Sequence, residues 1–148
     1  MHYFYEVISN IKKSIMKKIF TYSVAIAFCL LSSTSYAKKS IEQCEAKQDT
    51  TLGLSSCFDI VKASIDKELQ TWINNQVFIL EEFALTTGRR SALDMFKRSQ
   101  RNFITFREND CRWQYLAISP KTGAAAAYKK CYILLSKARI KELEMIKL

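Results

Sequence analysis

Residues 57–88 read CFDIVKASIDKELQTWINNQVFILEEFALTTG. Within them Phe58, Val61, Ile65, Leu69, Trp72, Leu80 and Phe83 recur at steps of three and four, with one polar interruption at Gln76. That spacing keeps one side of a helix apolar, while Asp59, Lys62, Asp66, Lys67 and Glu68 fall on the side facing water. Ser55 or Ser56 can cap the start near Cys57. Gly88 can take the left-handed conformation that ends it.

The same period continues downstream. A second helix is expected from Ser91, with a stripe of Leu93, Phe96, Gln100, Phe103, Arg107 and Cys111, running toward Ile118 and stopping at Ser119-Pro120. A third starts after Gly123, with Tyr128, Cys131, Leu135, Ala138 and Ile146 on a less regular apolar face. Residues 38–54 read as a short helix plus a loop. Short connections make neighbouring helices antiparallel. The fold class is therefore all-α: a small antiparallel bundle of about three main helices, stapled by disulfides and preceded by a signal-peptide helix.

Composition narrows the chemistry. The 148 residues hold 23 Lys+Arg against 14 Asp+Glu, a net charge of +9. Three glycines and one proline supply too few turns for an all-β sandwich. The one histidine is His2, so triads, Cys–His pairs and His-rich metal sites have no material in the body of the chain. Gly53, Gly88 and Gly123 stand too far apart to cradle a phosphate. No cofactor and no metal are expected.

The first 37 residues have the layout of a secretory signal. Lys12, Lys13, Lys17 and Lys18 precede an uncharged stretch from Ile19, and Ser35-Tyr36-Ala37 is a small-x-small cleavage site. Cleavage is expected after Ala37, with Met16 a candidate true start. The competing reading is an uncleaved anchor, since the run Ile19–Ala37 nears spanning length, but its second half is polar. Cys29 follows Phe28, where a lipobox requires a small residue. The expected location is periplasmic or secreted.

Residues 38–148 form the expected mature domain, with 19 Lys+Arg against 13 Asp+Glu and a net charge of +6. Four cysteines remain in it, Cys44, Cys57, Cys111 and Cys131. An even count in a short exported chain implies two disulfides. Three pairings are possible in principle; the local one, Cys44–Cys57 with Cys111–Cys131, is preferred. The spacings contain no C-x2-C knuckle for zinc.

The second stripe contains an anomaly. Gln100 and Arg107 share a face with Leu93, Phe96 and Phe103, and a buried charge without a partner is costly. Arg107 must meet Glu108, Asp110, or a carboxylate or carbonyl on another helix. Either these residues form a binding surface, or they make a polar clamp that sets helix register.

The stretch Gln100-Arg101-Asn102-Phe103-Ile104-Thr105-Phe106-Arg107-Glu108-Asn109-Asp110-Cys111 resembles the Q-r-x-[WF]-x-x-[YF]-R-x-x-x-C signature of the lysozyme-inhibitor LprI-like family of small exported bacterial proteins. Gly123, Cys131, Arg139 and Leu143 follow in the family's order, and Cys44 and Cys57 resemble its early cysteine pair. The likeness spans about residues 41–145. The chain departs from the pattern at Phe103, where Trp is more usual, and at Ala124 in the run Ala124–Ala127, where Ser or Thr often follows the Gly. The resemblance implies a non-catalytic helical inhibitor of lysozyme, and it adds Arg139 to the motif residues Gln100, Phe103 and Arg107.

Two functional classes follow. One is an inhibitor of lysozyme or another peptidoglycan hydrolase, with immunity against a competitor's toxin as a variant. Trp113 and Tyr115, beside the loop at Gly123, are candidate partner contacts or, alternatively, close the end of the core. Local acidic groups at Glu42, Glu45 and Asp49, or at Glu81-Glu82, are further candidates. The other class is a cell-envelope protein whose basic residues contact anionic lipid or wall polymer. An enzyme is disfavoured, because neighbouring carboxylates such as Glu108 and Asp110 on amphipathic helices are ordinary surface groups and oxidised cysteines leave no thiol. Nucleic acid is disfavoured by the exported destination and by aromatics committed to the core stripes.

Overall fold

A computed structural model describes residues 39–147. They form four helices: α1 (Ile41–Lys47), α2 (Thr51–Thr87), α3 (Ser91–Ile118) and α4 (Ala124–Met145). The expected signal segment, its cleavage point at Ala37 and the candidate start at Met16 lie outside the described residues. The fold is the expected all-α bundle of three main helices, with α1 the expected short helix, though the loop after it ends at Thr50 and not at residue 54.

Each helix begins for a local reason. Ser40 caps α1 through a capping box, its hydroxyl accepting from the Gln43 amide while the Gln43 side chain accepts from the Ser40 amide. Thr50 caps α2, its hydroxyl accepting from the Gly53 amide at 3.1 Å. This corrects the expected start near Cys57: the helix begins six residues earlier. Ser55 lies inside α2 and is buried; it accepts from Lys129 of α4 at 2.8 Å. Gly88 ends α2 at φ 72° and Gly123 precedes α4 at φ 98°, a region that side chains with a Cβ rarely enter.

The core is built from one face of each element. Ile41 and Cys44 of α1, Phe58, Val61, Ile65 and Leu69 of α2, and Ala126, Ile133, Ile140 and Leu143 of α4 form its buried centre. Trp72 and Ile73, with Phe96 and Phe103 of α3, pack against it half-buried. Burying a side chain of this size contributes about 1.5–3 kcal/mol. Cys44–Cys57 ties α1 to the first turns of α2, and Cys111–Cys131 joins α3 to α4 across their turn.

Three residues of the expected stripes are not in the core. Phe83, Ala138 and Ile146 are exposed, while Ile133, Ile140 and Leu143 take the buried positions of α4. The reason is length. At 1.5 Å per residue α2 runs about 55 Å and α4 about 33 Å. The end of α4 reaches Gln76, whose side-chain amide donates to the Leu143 carbonyl at 3.4 Å. Beyond Gln76, α2 continues to Thr87 and meets α3 as a two-helix hairpin that α4 does not reach, so Phe83 has no third helix against it. Ile146 is already the C-cap of α4.

Candidate functional site

The motif residues on α3 point inward. Gln100 and Arg107 are only 6% and 5% exposed. Arg107 does not pair with Glu108 or Asp110. Its Nη1 donates to the Ser136 hydroxyl of α4 at 2.8 Å, and Ser136 in turn donates to the Tyr132 carbonyl at 2.7 Å. The guanidinium lies over the Tyr132 ring at 3.7 Å and near the Phe103 ring at 5.4 Å. A planar, weakly hydrated cation gains from such stacking where an ammonium gains less. Glu108 instead accepts from the Tyr128 hydroxyl, and Asp110 accepts from Trp113 and Gln114. Residues one apart on a helix do not share a face, so Glu108 cannot follow Arg107 into the core.

Asp66 of α2 completes the arrangement. It accepts from the Tyr132 hydroxyl at 2.9 Å and from Lys62 at 2.7 Å, with Arg107 Nη1 at 3.9 Å. Lys62 covers the other approach to the Tyr132 ring at 4.0 Å. Burial pushes the Tyr132 hydroxyl up, and its bond to Asp66 pushes the same way. Burial works against the Lys62 charge, but its partners Asp66 and Tyr132 outweigh that and raise it. The Tyr132 hydroxyl thus stays a neutral donor to Asp66, beside a Lys62 that stays charged.

Arg139 of α4 closes the cluster one helical turn away. Its Nε donates to Gln100 Oε1 and its Nη2 to Ser99, both at 3.3 Å, its Nη1 pairs with Glu142 at 2.6 Å, and its guanidinium sits 5.7 Å from the Phe103 ring. Gln100, Phe103, Arg107 and Arg139 therefore meet at one seam between α3 and α4. Lys62 and Asp66, expected on the side facing water, are half-buried and belong to it as well, because Tyr132 and Arg107 pack beside them; Tyr132 and Ser136 join them and are not marked by the sequence pattern. The nearest sequence signal is the i,i+4 spacing of Lys62 with Asp66 and of Tyr132 with Ser136. The chemistry available is fastening: each cation meets a ring, a hydroxyl or an opposite charge, although Gln100 Nε2 and Arg107 Nε are buried without a hydrogen-bond partner among the described residues.

The turn end of α3 is different. Trp113 is 59% exposed and Tyr115 38% exposed, so neither closes the core. Two residues apart on a helix, they point to opposite flanks. Trp113 shares its flank with Phe106, seven residues earlier and also exposed. Tyr115 lines a groove of about 310 Å³ with Glu108, Arg112, Leu116 and Tyr128. Burial pushes the Tyr128 hydroxyl up to about 12, its bond to Glu108 adding to the effect. Gly123 is not among the residues that line this groove; it supplies the positive-φ turn before α4.

The acidic candidates are scattered. Glu45 pairs with Lys130 and Glu81 with Lys97. Among the described residues no group of three or more His, Cys, Asp or Glu could hold a metal ion. None of the described helices is long and apolar enough to cross a membrane.

Compared with known proteins, the chain matches the family model described as Lysozyme inhibitor LprI over residues 43–143. The chain belongs to this family. The match runs from the first turn of α1 nearly to the end of α4, so both disulfides and the whole polar seam lie inside the LprI region. Neither the curated proteins nor the solved structures give a match. An LprI chain is an inhibitor by family. Here the family's signature residues hold α3 to α4.

Proposed function

We propose that this chain is an exported, non-catalytic protein that binds and inhibits a lysozyme or related peptidoglycan hydrolase. Immunity against a competitor's wall-degrading toxin is one form of that activity. The working form is residues 38–148, released by cleavage after Ala37 and oxidised in the periplasm or outside the cell. The family match over residues 43–143 carries the reading. The contact surface is the turn end of α3, where Trp113, Tyr115 and Leu116 stand exposed beside the Cys111–Cys131 bridge. Exposed aromatics on a crosslinked support make effective anchors, because little is lost in ordering them. The test is inhibition of a panel of muramidases by the oxidised protein at low salt. Inhibition of at least one supports the reading, and inhibition of none removes it.

A second reading draws on the α2–α3 hairpin. Its outer surface exposes Phe78, Leu85 and Met95, and Arg89, Arg90, Arg98 and Arg101 have no side-chain partner among the described residues. Apolar side chains among unpaired arginines suit contact with anionic lipid or wall polymer. Salt-sensitive binding to vesicles rich in phosphatidylglycerol supports this reading; binding that ignores salt counts against it.

A further inference from the structure

The protein is basic, and lysozymes that are themselves basic would repel it at long range. The turn end of α3 shows how close contact can overcome that. Its two carboxylates keep their charge but are held by neutral donors, Glu108 (in the same groove as Arg112) by the Tyr128 hydroxyl and Asp110 by Trp113 and Gln114. Its cations are not: Arg112 and Lys121 have no side-chain partner among the described residues and both are exposed. Arg112 stands in the groove with Tyr115 and Leu116. Leu116 is also exposed, and the Tyr115 hydroxyl has no partner among the described residues. The result is a free guanidinium flanked by an aromatic ring and an aliphatic side chain, on a helix pinned at Cys111 one residue earlier.

A hydrolase that cleaves a glycan has a complementary shape and charge. Its cleft is wide enough for a sugar chain and holds a pair of carboxylates on either side of the scissile bond. A guanidinium binds a carboxylate through two parallel hydrogen bonds, and a tyrosine face can occupy the apolar surface that a sugar ring would cover. Once the surfaces meet, charges more than about 8–10 Å apart are screened and the local pair decides the sign. We propose that Arg112, flanked by Tyr115 and Leu116, enters the carboxylate-lined substrate cleft of the bound hydrolase and blocks it as a substrate mimic. This rests on the inhibitor reading above and names the mode of binding.

The experiment measures binding of the oxidised, exported protein to a lysozyme it inhibits, with and without saturating tri-N-acetylchitotriose in the cleft. It is repeated for Arg112→Gln, Tyr115→Ser and, as a control on the distant hairpin, Arg98→Gln. The expected result is competition by the trisaccharide, at least tenfold weaker binding for Arg112→Gln and Tyr115→Ser, and no change for Arg98→Gln, all with unaltered melting temperatures. Tight binding that the trisaccharide does not disturb, or that survives Arg112→Gln, overturns the cleft mode and leaves the inhibitor reading standing. Absence of binding to every lysozyme tried overturns both.

Discussion

Replacing Arg107 by alanine tests the polar seam where the most depends on one side chain. The change removes a charge-assisted hydrogen bond to Ser136 at 2.8 Å, worth about 1.5–3 kcal/mol. It also removes the stack on Tyr132 at 3.7 Å, worth about 2 kcal/mol when desolvated. Some of that is returned, because a cation no longer has to be buried, and Asp66 keeps Lys62 and Tyr132 as partners. The net loss is about 3 kcal/mol, which for a domain of this size lowers the melting temperature by on the order of 15 °C. Urea unfolding of the oxidised protein measures it: the midpoint should fall while the slope stays constant. Arg107→Lys should recover little, since an ammonium neither stacks as a plane nor reaches two partners. Arg107→Met should recover much of the loss, because an apolar side chain of similar length leaves no charge to satisfy. A loss below about 0.5 kcal/mol for the alanine variant, on the scale of ordinary surface substitutions, would refute the reasoning, as would full rescue by lysine.

Removing either disulfide by a pair of alanines should cost about 3 kcal/mol in the loop-entropy model, since the bridges span 13 and 20 residues; chemical denaturation of each double variant checks the figure. Tyr128 should titrate near pH 12 rather than 10. Its neutral form is favoured by folding, so that stability is fully present below pH 10 and is lost as pH rises through about 12. Tyrosinate absorbance in the native protein and in Tyr128→Phe tests this, and uniform titration of every tyrosine near 10 contradicts it. Gly88→Ala should destabilise by about 1–2 kcal/mol, because nothing crowds the new Cβ and the φ of 72° is the whole cost; Gly88→Asn should lose less, and equal losses would show that conformation is not the cause.

Much of this structure was legible from residue spacing. The buried run Phe58, Val61, Ile65 and Leu69 and the inward face of Leu93, Gln100, Arg107 and Cys111 follow from the helical period alone. The limits of α3 follow from Ser91 and from Ser119-Pro120. The start of α2 was not legible, because Ser55 and Ser56 look as good a cap as Thr50 when read locally. Only the packing of α4 shows that Ser55 is needed inside the helix to receive Lys129. The exposure of Phe83 was hidden for a similar reason: its stripe position is sound, but whether a third helix reaches it depends on where α4 ends. At the seam, a buried Arg107 predicts that a partner exists without naming it. The answer, a ring and a hydroxyl on α4 backed by Asp66 of α2, is set by how the helices align. The same holds for Trp113 and Tyr115, which are neighbours in sequence and lie on opposite flanks.

The most direct measurement is a titration of lysozyme activity on a soluble chromogenic oligosaccharide with the oxidised protein, followed by sizing of the mixture. A substrate too small to be shielded by wall binding isolates the enzyme as the target. The expected result is loss of turnover that saturates at one inhibitor per enzyme, together with a one-to-one complex. Undiminished turnover across lysozymes and related muramidases, with no complex at any ratio, contradicts the assignment.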